Sequence, residues 1–142
     1  MYFDTSALIK RYVDEPGRDA VSQLLRTGDC VVSAVLPVEV HSALRRRVAD
    51  RTLHENQLTA ILKRFTADRT FWTVIEVSPD VLRAAESLCA THPLRALDAI
   101  HVASAQLFSG RIGSATLTFV SADVRQTATT AALRIPTRHI QA

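Results

Sequence analysis

The chain opens with Tyr2-Phe3-Asp4-Thr5-Ser6-Ala7-Leu8-Ile9-Lys10, in which a short apolar run ends at an aspartate and a helix-like pattern follows. Hydroxyl side chains such as those of Thr5 and Ser6 are favoured where helices begin. The stretch predicts a strand over residues 2–4 and a helix over residues 5–14. A strand that leads directly into a helix is the building unit of a parallel α/β sheet.

The same change from apolar run to helical pattern recurs along the chain. Further strands are predicted at 30–33, 73–77 and 117–120, and Pro136 allows the tail at most an edge strand. The remaining helices are predicted over residues 18–26, 54–68, 96–108 and 124–133. Two more are predicted, one that runs from Pro37 to the cluster Arg45-Arg46-Arg47 and one that begins at Ser78. Gly110 and Gly113 are predicted to lie in the loop after residue 108. Alternating strands and helices predict a single α/β domain over residues 1–142, with three layers (α/β/α) around a parallel sheet of four or five strands.

The composition is that of one globular domain. With 142 residues, 47% of them apolar, the chain is long enough to bury a core. No stretch approaches the ~20 apolar residues of a membrane span, and no basic leader precedes the first strand. We therefore expect a soluble, cytoplasmic protein with no membrane partner. Cys30 and Cys89 belong to no Cys-x-x-Cys or Cys/His cluster, which predicts buried free thiols.

The basic residues are nearly all arginines, 15 of 17, and the formal net charge is +3. Guanidinium groups bind phosphate oxygens through paired hydrogen bonds, so this excess suits a phosphate-bearing partner. A charge of this size is also common on ordinary domains. The Arg45-Arg46-Arg47 run has two equal interpretations: a contact for a nucleic-acid backbone, or a solvated helix end favoured by the helix dipole.

Four acids, Asp4, Glu39, Asp98 and Asp123, stand near predicted strand ends or helix starts. Each alone has a simpler explanation, because aspartate is a common N-cap and a helical glutamate often pairs with an arginine one turn away. The four acids taken together have a different interpretation from each acid taken alone. The carboxyl ends of parallel strands lie along one edge of a sheet, so all four acids are predicted to reach that edge.

Gathered carboxylates favour a bound cation. Within ~4–6 Å they raise one another's pKa unless a positive charge compensates. The absence of cysteine ligands and of paired histidines favours Mg²⁺ or Mn²⁺ over zinc. Ser121, two residues before Asp123, could orient a carboxylate or a water. His101 could be a ligand or a base, but a buried histidine bonded to a neighbour is the favoured interpretation.

These segments together resemble the PIN-domain family, and within it the toxins of the VapC type. The resemblance rests on Tyr2 to Lys10, the helix around Glu39, Leu97-Asp98-Ala99-Ile100-His101-Val102-Ala103 and Val120-Ser121-Ala122-Asp123. It spans residue 2 to about residue 135, and the order and spacing of the motifs are specific. Two departures are serine where threonine is frequent, at position 121, and a tail, Arg134-Ile135-Pro136-Thr137, that differs from the expected apolar last strand.

The resemblance implies an Mg²⁺- or Mn²⁺-dependent endoribonuclease that is the toxin of a toxin–antitoxin pair. Its metal-site acids would be Asp4, Glu39, Asp98 and Asp123, with Ser121 as the supporting hydroxyl. The implied partners are an RNA substrate, a second copy in a homodimer, and a cognate VapB-like antitoxin. The antitoxin would insert an arginine toward the carboxylates from a groove near the 36–68 helical hairpin.

Two other functions remain open from the residues. A phosphatase of the haloacid dehalogenase class would use Asp4 as nucleophile, but it needs a second aspartate at the position that Ser6 occupies. A PIN-like module that binds RNA or protein without cutting is the other alternative, and the presence of all four acids argues against it. The RNA target cannot be read from the sequence, because all RNAs present the same phosphate chemistry.

Overall fold

The computed structural model describes residues 1–112 and 117–141. Its elements, in chain order, are β1 (Tyr2–Phe3), α1 (Thr5–Leu8), a 3₁₀ turn (Ile9–Arg11), α2 (Arg18–Thr27), β2 (Val31–Ser33), α3 (Leu36–Ala49), α4 (Glu55–Asp68), a second 3₁₀ turn (Arg69–Phe71), β3 (Thr73–Ile75), α5 (Pro79–Thr91), α6 (Ala96–Ile112), β4 (Phe119–Ser121), α7 (Val124–Ala132) and β5 (Thr137–His139).

The five strands form one parallel sheet in the order β3-β2-β1-β4-β5. β1 lies at the centre, with Tyr2 in register with Val31 on one side and with Phe119 on the other. The chain moves outward from β1 in one direction and then returns to build the other half. Strand order therefore reverses beside β1, where open α/β sheets bind their ligands. The predicted parallel three-layer fold is confirmed.

Two hydrophobic clusters cover the two faces of the sheet. Successive side chains of a strand point to opposite faces, so β1 contributes Phe3 to one cluster and Tyr2 to the other. The first cluster packs the hairpin of α3 and α4 through Leu44 and Phe65. The second packs α5 and α6, and includes Val102. The central strand is thus buried on both sides, which fixes the position of the residues at its carboxyl end.

Two helices differ in length from the prediction. The helix expected over residues 5–14 ends at Leu8 and tightens into the 3₁₀ turn, where the Tyr12 N–H donates to the Ile9 carbonyl. The loop expected at Gly110 is wrong, because α6 continues to Ile112. A single exposed glycine costs a helix only about 1 kcal/mol, which packing elsewhere along α6 outweighs. Gly113 lies outside the described residues.

The tail pairs at the edge of the sheet, as its proline required. β5 begins one residue after Pro136, whose carbonyl accepts a hydrogen bond from the Phe119 N–H. Proline lacks an N–H but keeps its carbonyl, so it can precede an edge strand without breaking the ladder. The tail therefore forms a fifth parallel strand, β5, at the edge of the sheet.

The cysteine prediction is right for one residue and wrong for the other. Both thiols are free, but Cys30 is buried and Cys89 is exposed. Burial raises the pKa of the Cys30 thiol to about 12. Helix α5 turns Val81, Ala85 and Leu88 toward the core, and the residue after Leu88 lies about 100° away around the helix, on the solvent side.

Among the described helices, none combines the length and the apolar composition needed to cross a bilayer.

Candidate metal and active site

One cleft of about 410 Å³ is lined by all four acids predicted from the sequence, Asp4, Glu39, Asp98 and Asp123. Asp4 and Asp123 follow β1 and β4 directly, and these two strands are neighbours in the sheet. Glu39 comes from the first turn of α3 and Asp98 from the first turn of α6. Segments nearly 120 residues apart along the chain thus meet at the carboxyl edge of the sheet.

Asp4 is the buried centre of the cleft and the N-cap of α1. It is 1% exposed, and its carboxylate accepts hydrogen bonds from the backbone N–H groups of Ser6 and Ala7 and from the Ser6 hydroxyl. Burial raises the pKa of Asp4 above its ordinary value, although the charge of His101 and these hydrogen bonds oppose the rise. The fold therefore holds a carboxyl group where its own charge is unfavourable.

Glu39 is held in the opposite electrostatic condition. Its Oε2 accepts a hydrogen bond from the Thr5 hydroxyl at 2.5 Å and lies 2.6 Å from His101 Nε2. Burial alone would raise the pKa of Glu39, but the hydrogen bond and charge of His101, with help from Thr5, lower it below its ordinary value. Glu39 is therefore stabilised as a carboxylate. The described residues give its Oε1 no hydrogen bond, so that oxygen is free for a ligand.

His101 is a buried connector rather than an exposed base. It is 1% exposed, and its Nδ1 lies 2.9 Å from the Tyr2 hydroxyl while its Nε2 contacts Glu39. Both ring nitrogens therefore have protein partners. The geometry agrees with the interpretation of a histidine bonded to its neighbours. Its contacts to Tyr2, Thr5 and Glu39 link β1, α1, α3 and α6 in one network.

Asp98 is oriented by a residue that the sequence did not single out. Its Oδ1 accepts a hydrogen bond at 2.8 Å from the side-chain amide of Gln126, which is 2% exposed. Its Oδ2 accepts a longer hydrogen bond from the backbone N–H of Arg95. Gln126 also accepts a hydrogen bond from the Ser121 hydroxyl. A glutamine on a helix is ordinarily a surface residue, so no sequence pattern could have indicated this contact.

Asp123 and Ser121 shape the turn between β4 and α7. Asp123 Oδ1 caps α7 by accepting the N–H groups of Arg125 and Gln126 at 2.7 and 3.2 Å. Ser121 Oγ accepts the Asp123 N–H at 2.9 Å and lies 3.3 Å from the Ser6 hydroxyl. Ser121 is fully buried, and its hydroxyl contacts Ser6, Gln126 and the backbone of Asp123 rather than open cleft.

The acids share the cleft without crowding. Within residues 1–112 and 117–141, no three His, Cys, Asp or Glu side chains are grouped closely enough to hold a metal ion by themselves. This differs from the tight carboxylate cluster expected from the sequence. Asp4, Glu39, Asp98 and Asp123 each accept hydrogen bonds from protein donors, which orient them individually.

The donor set nevertheless fits a hard divalent cation. Mg²⁺ is usually held by one or two carboxylates, with water and phosphate oxygens completing the shell, so a closed group of three protein ligands is not required. The donors that line the cleft are carboxylate, hydroxyl and amide oxygens. Such a set suits Mg²⁺ or Mn²⁺ and not a metal that selects thiolates.

Comparisons with known proteins relate the chain to one family by sequence and to one solved structure by fold. The PIN domain family profile matches residues 1–130. Ribonuclease VapC45 and Ribonuclease VapC49, both from Mycobacterium tuberculosis, are each 35% identical to the chain over 109 residues, which is 74% of both partners. A toxin–antitoxin complex from Klebsiella pneumoniae has a chain that superposes with a TM-score of 0.65 at 19% identity, covering 89% of each chain. The last likeness supports the fold alone.

Proposed function

The chain belongs to the PIN-domain family, and we propose that it is a metal-dependent endoribonuclease that acts as the toxin of a VapBC-type toxin–antitoxin pair. The observation that carries the proposal is the cleft at the carboxyl edge of the sheet. It brings Asp4, Glu39, Asp98 and Asp123 together from four separate segments. That edge is where a parallel sheet with this strand order binds its ligand.

The proposed metal ligands are Asp4, Glu39, Asp98 and Asp123, and the proposed cation is Mg²⁺ or Mn²⁺. Such a cation, when bound, polarises a phosphodiester and lowers the pKa of a bound water. Asp4 favours this arrangement because burial makes its charge costly, and a bound cation would compensate that charge. Glu39 favours it because the contact with His101 keeps it ionised, while its Oε1 has no hydrogen bond among the described residues.

The surrounding residues position these acids. Gln126 fixes Asp98, and Ser121 fixes the backbone of Asp123. Both are buried and hydrogen-bonded, so their geometry is set before substrate arrives. A carboxylate whose orientation is already fixed does not have to be ordered during the reaction, which lowers the free-energy cost of reaching the transition state.

The proposed protein partner is a VapB-like antitoxin that blocks the cleft, and the proposed assembly is a homodimer. The support for the antitoxin is that the related chain from Klebsiella pneumoniae is part of a toxin–antitoxin complex. An arginine inserted among the four carboxylates would form charge-assisted hydrogen bonds and exclude substrate. Co-expression with a small protein encoded next to this chain should yield a complex without ribonuclease activity.

The decisive experiment is cleavage of RNA by the purified chain with and without divalent metal. Wild-type protein should cut with Mg²⁺ or Mn²⁺ and stop cutting in EDTA. Asp98→Asn should lose at least about 100-fold in kcat/KM, because an amide cannot replace a carboxylate ligand. Asp19→Asn removes an aspartate from the first turn of α2, outside the cleft, and should cut like the wild type.

Full activity of Asp98→Asn in EDTA would refute the proposal. Binding of RNA without any cleavage would instead favour the non-catalytic PIN-like module. The phosphatase alternative is not retained, because the family is different and because Asp4 is an N-cap tied to Ser6.

A further inference from the structure

The three arginines of the Arg45-Arg46-Arg47 cluster have different surroundings. Arg45 donates to Glu55 at 2.7 Å and Arg47 donates to Glu15 at 2.6 Å. Arg46 lines the cleft, and among the described residues its guanidinium donates only to the Ser42 hydroxyl, at 3.0 Å. The cluster is therefore not a uniform basic patch. Two of its members hold parts of the protein together, and one faces the site.

A second arginine faces the cleft from the other wall. Arg95 is exposed, stands just before α6 and lines the cleft beside Asp98. Within residues 1–112 and 117–141, neither Arg46 nor Arg95 forms an ion pair with a carboxylate. The Arg46 charge does reach the site, because it helps to lower the pKa of Glu39, after burial and the contacts with His101 and Thr5.

The charge balance of the cleft indicates what these two arginines do. An RNA phosphodiester is an anion, and a cleft of four carboxylates repels it. One divalent cation leaves such a cleft two negative charges in excess when all four acids are ionised. Arg46 and Arg95 supply two positive charges at its walls. These positive charges would reduce the repulsion between the acids and a polyanion such as RNA.

The lining of the cleft also indicates which part of RNA it contacts. Proteins that read single-stranded bases commonly stack them on aromatic side chains. None of the described residues that line this cleft is aromatic. Guanidinium groups bind phosphate oxygens in pairs, without regard to the base.

We propose that Arg46 and Arg95 bind the backbone phosphates on either side of the scissile phosphodiester of a single-stranded RNA. This inference rests on the proposed ribonuclease function. It assigns one member of the arginine cluster to substrate and leaves Arg45 and Arg47 to the structure of the protein. RNA should therefore cross the cleft from α3 to α6, over the four acids.

The test compares variants that each remove one arginine charge, and Arg45 and Arg46 lie on the same helix, α3. Binding of a fluorescent single-stranded RNA oligonucleotide is measured by anisotropy over a series of KCl concentrations. All proteins carry Asp98→Asn, which keeps the RNA intact. Arg46→Gln and Arg95→Gln should each weaken RNA binding about tenfold at low salt and reduce the slope of log Kd against log salt by about 0.7.

Three comparisons serve as controls for this measurement of RNA binding. Arg45→Gln should change RNA binding less than about twofold, because Arg45 is paired with Glu55 away from the cleft. Arg46→Lys should keep the salt slope but recover only part of the affinity, since lysine cannot form the paired hydrogen bonds. The loss in Arg46→Gln should be the same for RNAs of different sequence, because the contact is with phosphate.

The outcomes separate this inference from the ribonuclease proposal. If wild-type protein cuts RNA while Arg46→Gln and Arg95→Gln bind it normally, the inference fails and the function stands. If those variants lose the antitoxin instead of RNA, the arginines belong to a protein partner and the inference is overturned. If wild-type protein neither cuts nor binds RNA, both proposals fail.

Discussion

Asp4 and Glu39 line one cleft, yet the fold shifts their pKa values in opposite directions. Asp4 is sealed in the centre of the sheet edge, and burial makes its charge costly. Glu39 lies against His101, which stabilises its charge. A site with one unfavourable and one stabilised carboxylate is typical of functional clefts. A purely structural N-cap at position 4 would not require a charged side chain, because asparagine is also a favoured N-cap.

Asp4→Asn should therefore separate stability from activity. In EDTA, the variant should be at least as stable as the wild type, since the amide can still cap α1 and carries no buried charge. Thermal unfolding of both proteins in EDTA measures this. With Mg²⁺, the variant should lose RNA cleavage by about 100-fold or more. A destabilised Asp4→Asn protein would mean that the charge of Asp4 serves the fold.

The same comparison has a predicted pH dependence. A carboxyl whose pKa is raised in the native state binds its proton more tightly there than in the unfolded chain. The stability it contributes is present at low pH and is lost as pH rises through its native pKa. Metal-free wild-type protein should thus lose stability relative to Asp4→Asn as the pH is raised in steps from about 4, the ordinary pKa of aspartate. A constant difference over that range would contradict the prediction.

His101 should matter through its neighbours. His101→Leu leaves Glu39 and the Tyr2 hydroxyl without their shared partner, and unpaired buried polar groups are costly. We expect a loss of about 2–3 kcal/mol in the free energy of unfolding, measured in urea. Tyr2→Phe removes only one end of the chain of contacts and should cost about 1 kcal/mol. Equal stability of His101→Leu and wild type would argue against the network.

Some residue roles could be predicted from the sequence and others could not. Asp4 and Asp123 were found because an acid directly after a strand lies at one edge of a parallel sheet, and Glu39 and Asp98 because they stand near helix starts. Gln126 was missed because its partner, Asp98, is on another helix, and nothing local marks a glutamine as buried. Arg95 was missed because nothing local indicates which exposed arginine lines the cleft. The different surroundings of Arg45, Arg46 and Arg47 depend on tertiary contacts, which a run of three identical residues does not indicate.

At the scale of the elements, glycines show where local preference decided the structure and where packing did. Gly17 has a φ of 93°, a conformation that side chains disfavour, and it ends the loop before α2. A Cβ there would lie 2.6 Å from Ile140 Cγ2. Gly110 lies inside α6, and a Cβ added there would meet nothing within 4 Å beyond its chain neighbours and the backbone of its own helix. The sequence pattern placed Gly110 in a loop, but of these two glycines only Gly17 has a conformation that needs glycine.

Alanine at these two positions should have opposite effects. Gly17→Ala should destabilise the protein by about 1–3 kcal/mol, because of the backbone strain and the contact with Ile140. Gly110→Ala should stabilise it by up to about 1 kcal/mol, because alanine is the better helix former. Chemical denaturation of the two variants beside wild type measures both. Destabilisation by Gly110→Ala would indicate that the glycine has a role the helix does not reveal.

At the scale of the whole molecule, the site exists because β1 occupies the centre of the sheet. The acid after β1 is thereby placed beside the acid after β4, while α3 and α6 approach from the two faces of the sheet. The alternation of strands and helices made a parallel sheet predictable. It did not give the strand order or the distances between the acids, because those depend on how α3, α5 and α6 pack. The uncrowded arrangement of the carboxylates is the consequence that sequence reasoning could not reach.

This arrangement leads to a prediction about metal and stability that does not depend on catalysis. A ligand that binds only the native state stabilises it by about 2.7 kcal/mol when its concentration is 100 times its Kd. For a domain of this size each kcal/mol raises Tm by roughly 3 °C. Mg²⁺ or Mn²⁺ at saturating concentration should therefore raise the Tm of the wild type by several degrees over EDTA, at matched ionic strength.

The size of that shift should depend on the cleft. Asp98→Asn removes a proposed ligand and should abolish most of the rise in Tm, whereas Asp19→Asn removes an acid of α2 and should keep it. Asp4→Asn should also lose most of the rise, although its Tm in EDTA is not lowered. This pattern would follow from a cation that binds the carboxylates of this cleft in the native protein. If the rise were the same in all four proteins, the cation would be acting on the general surface charge and not at this cleft.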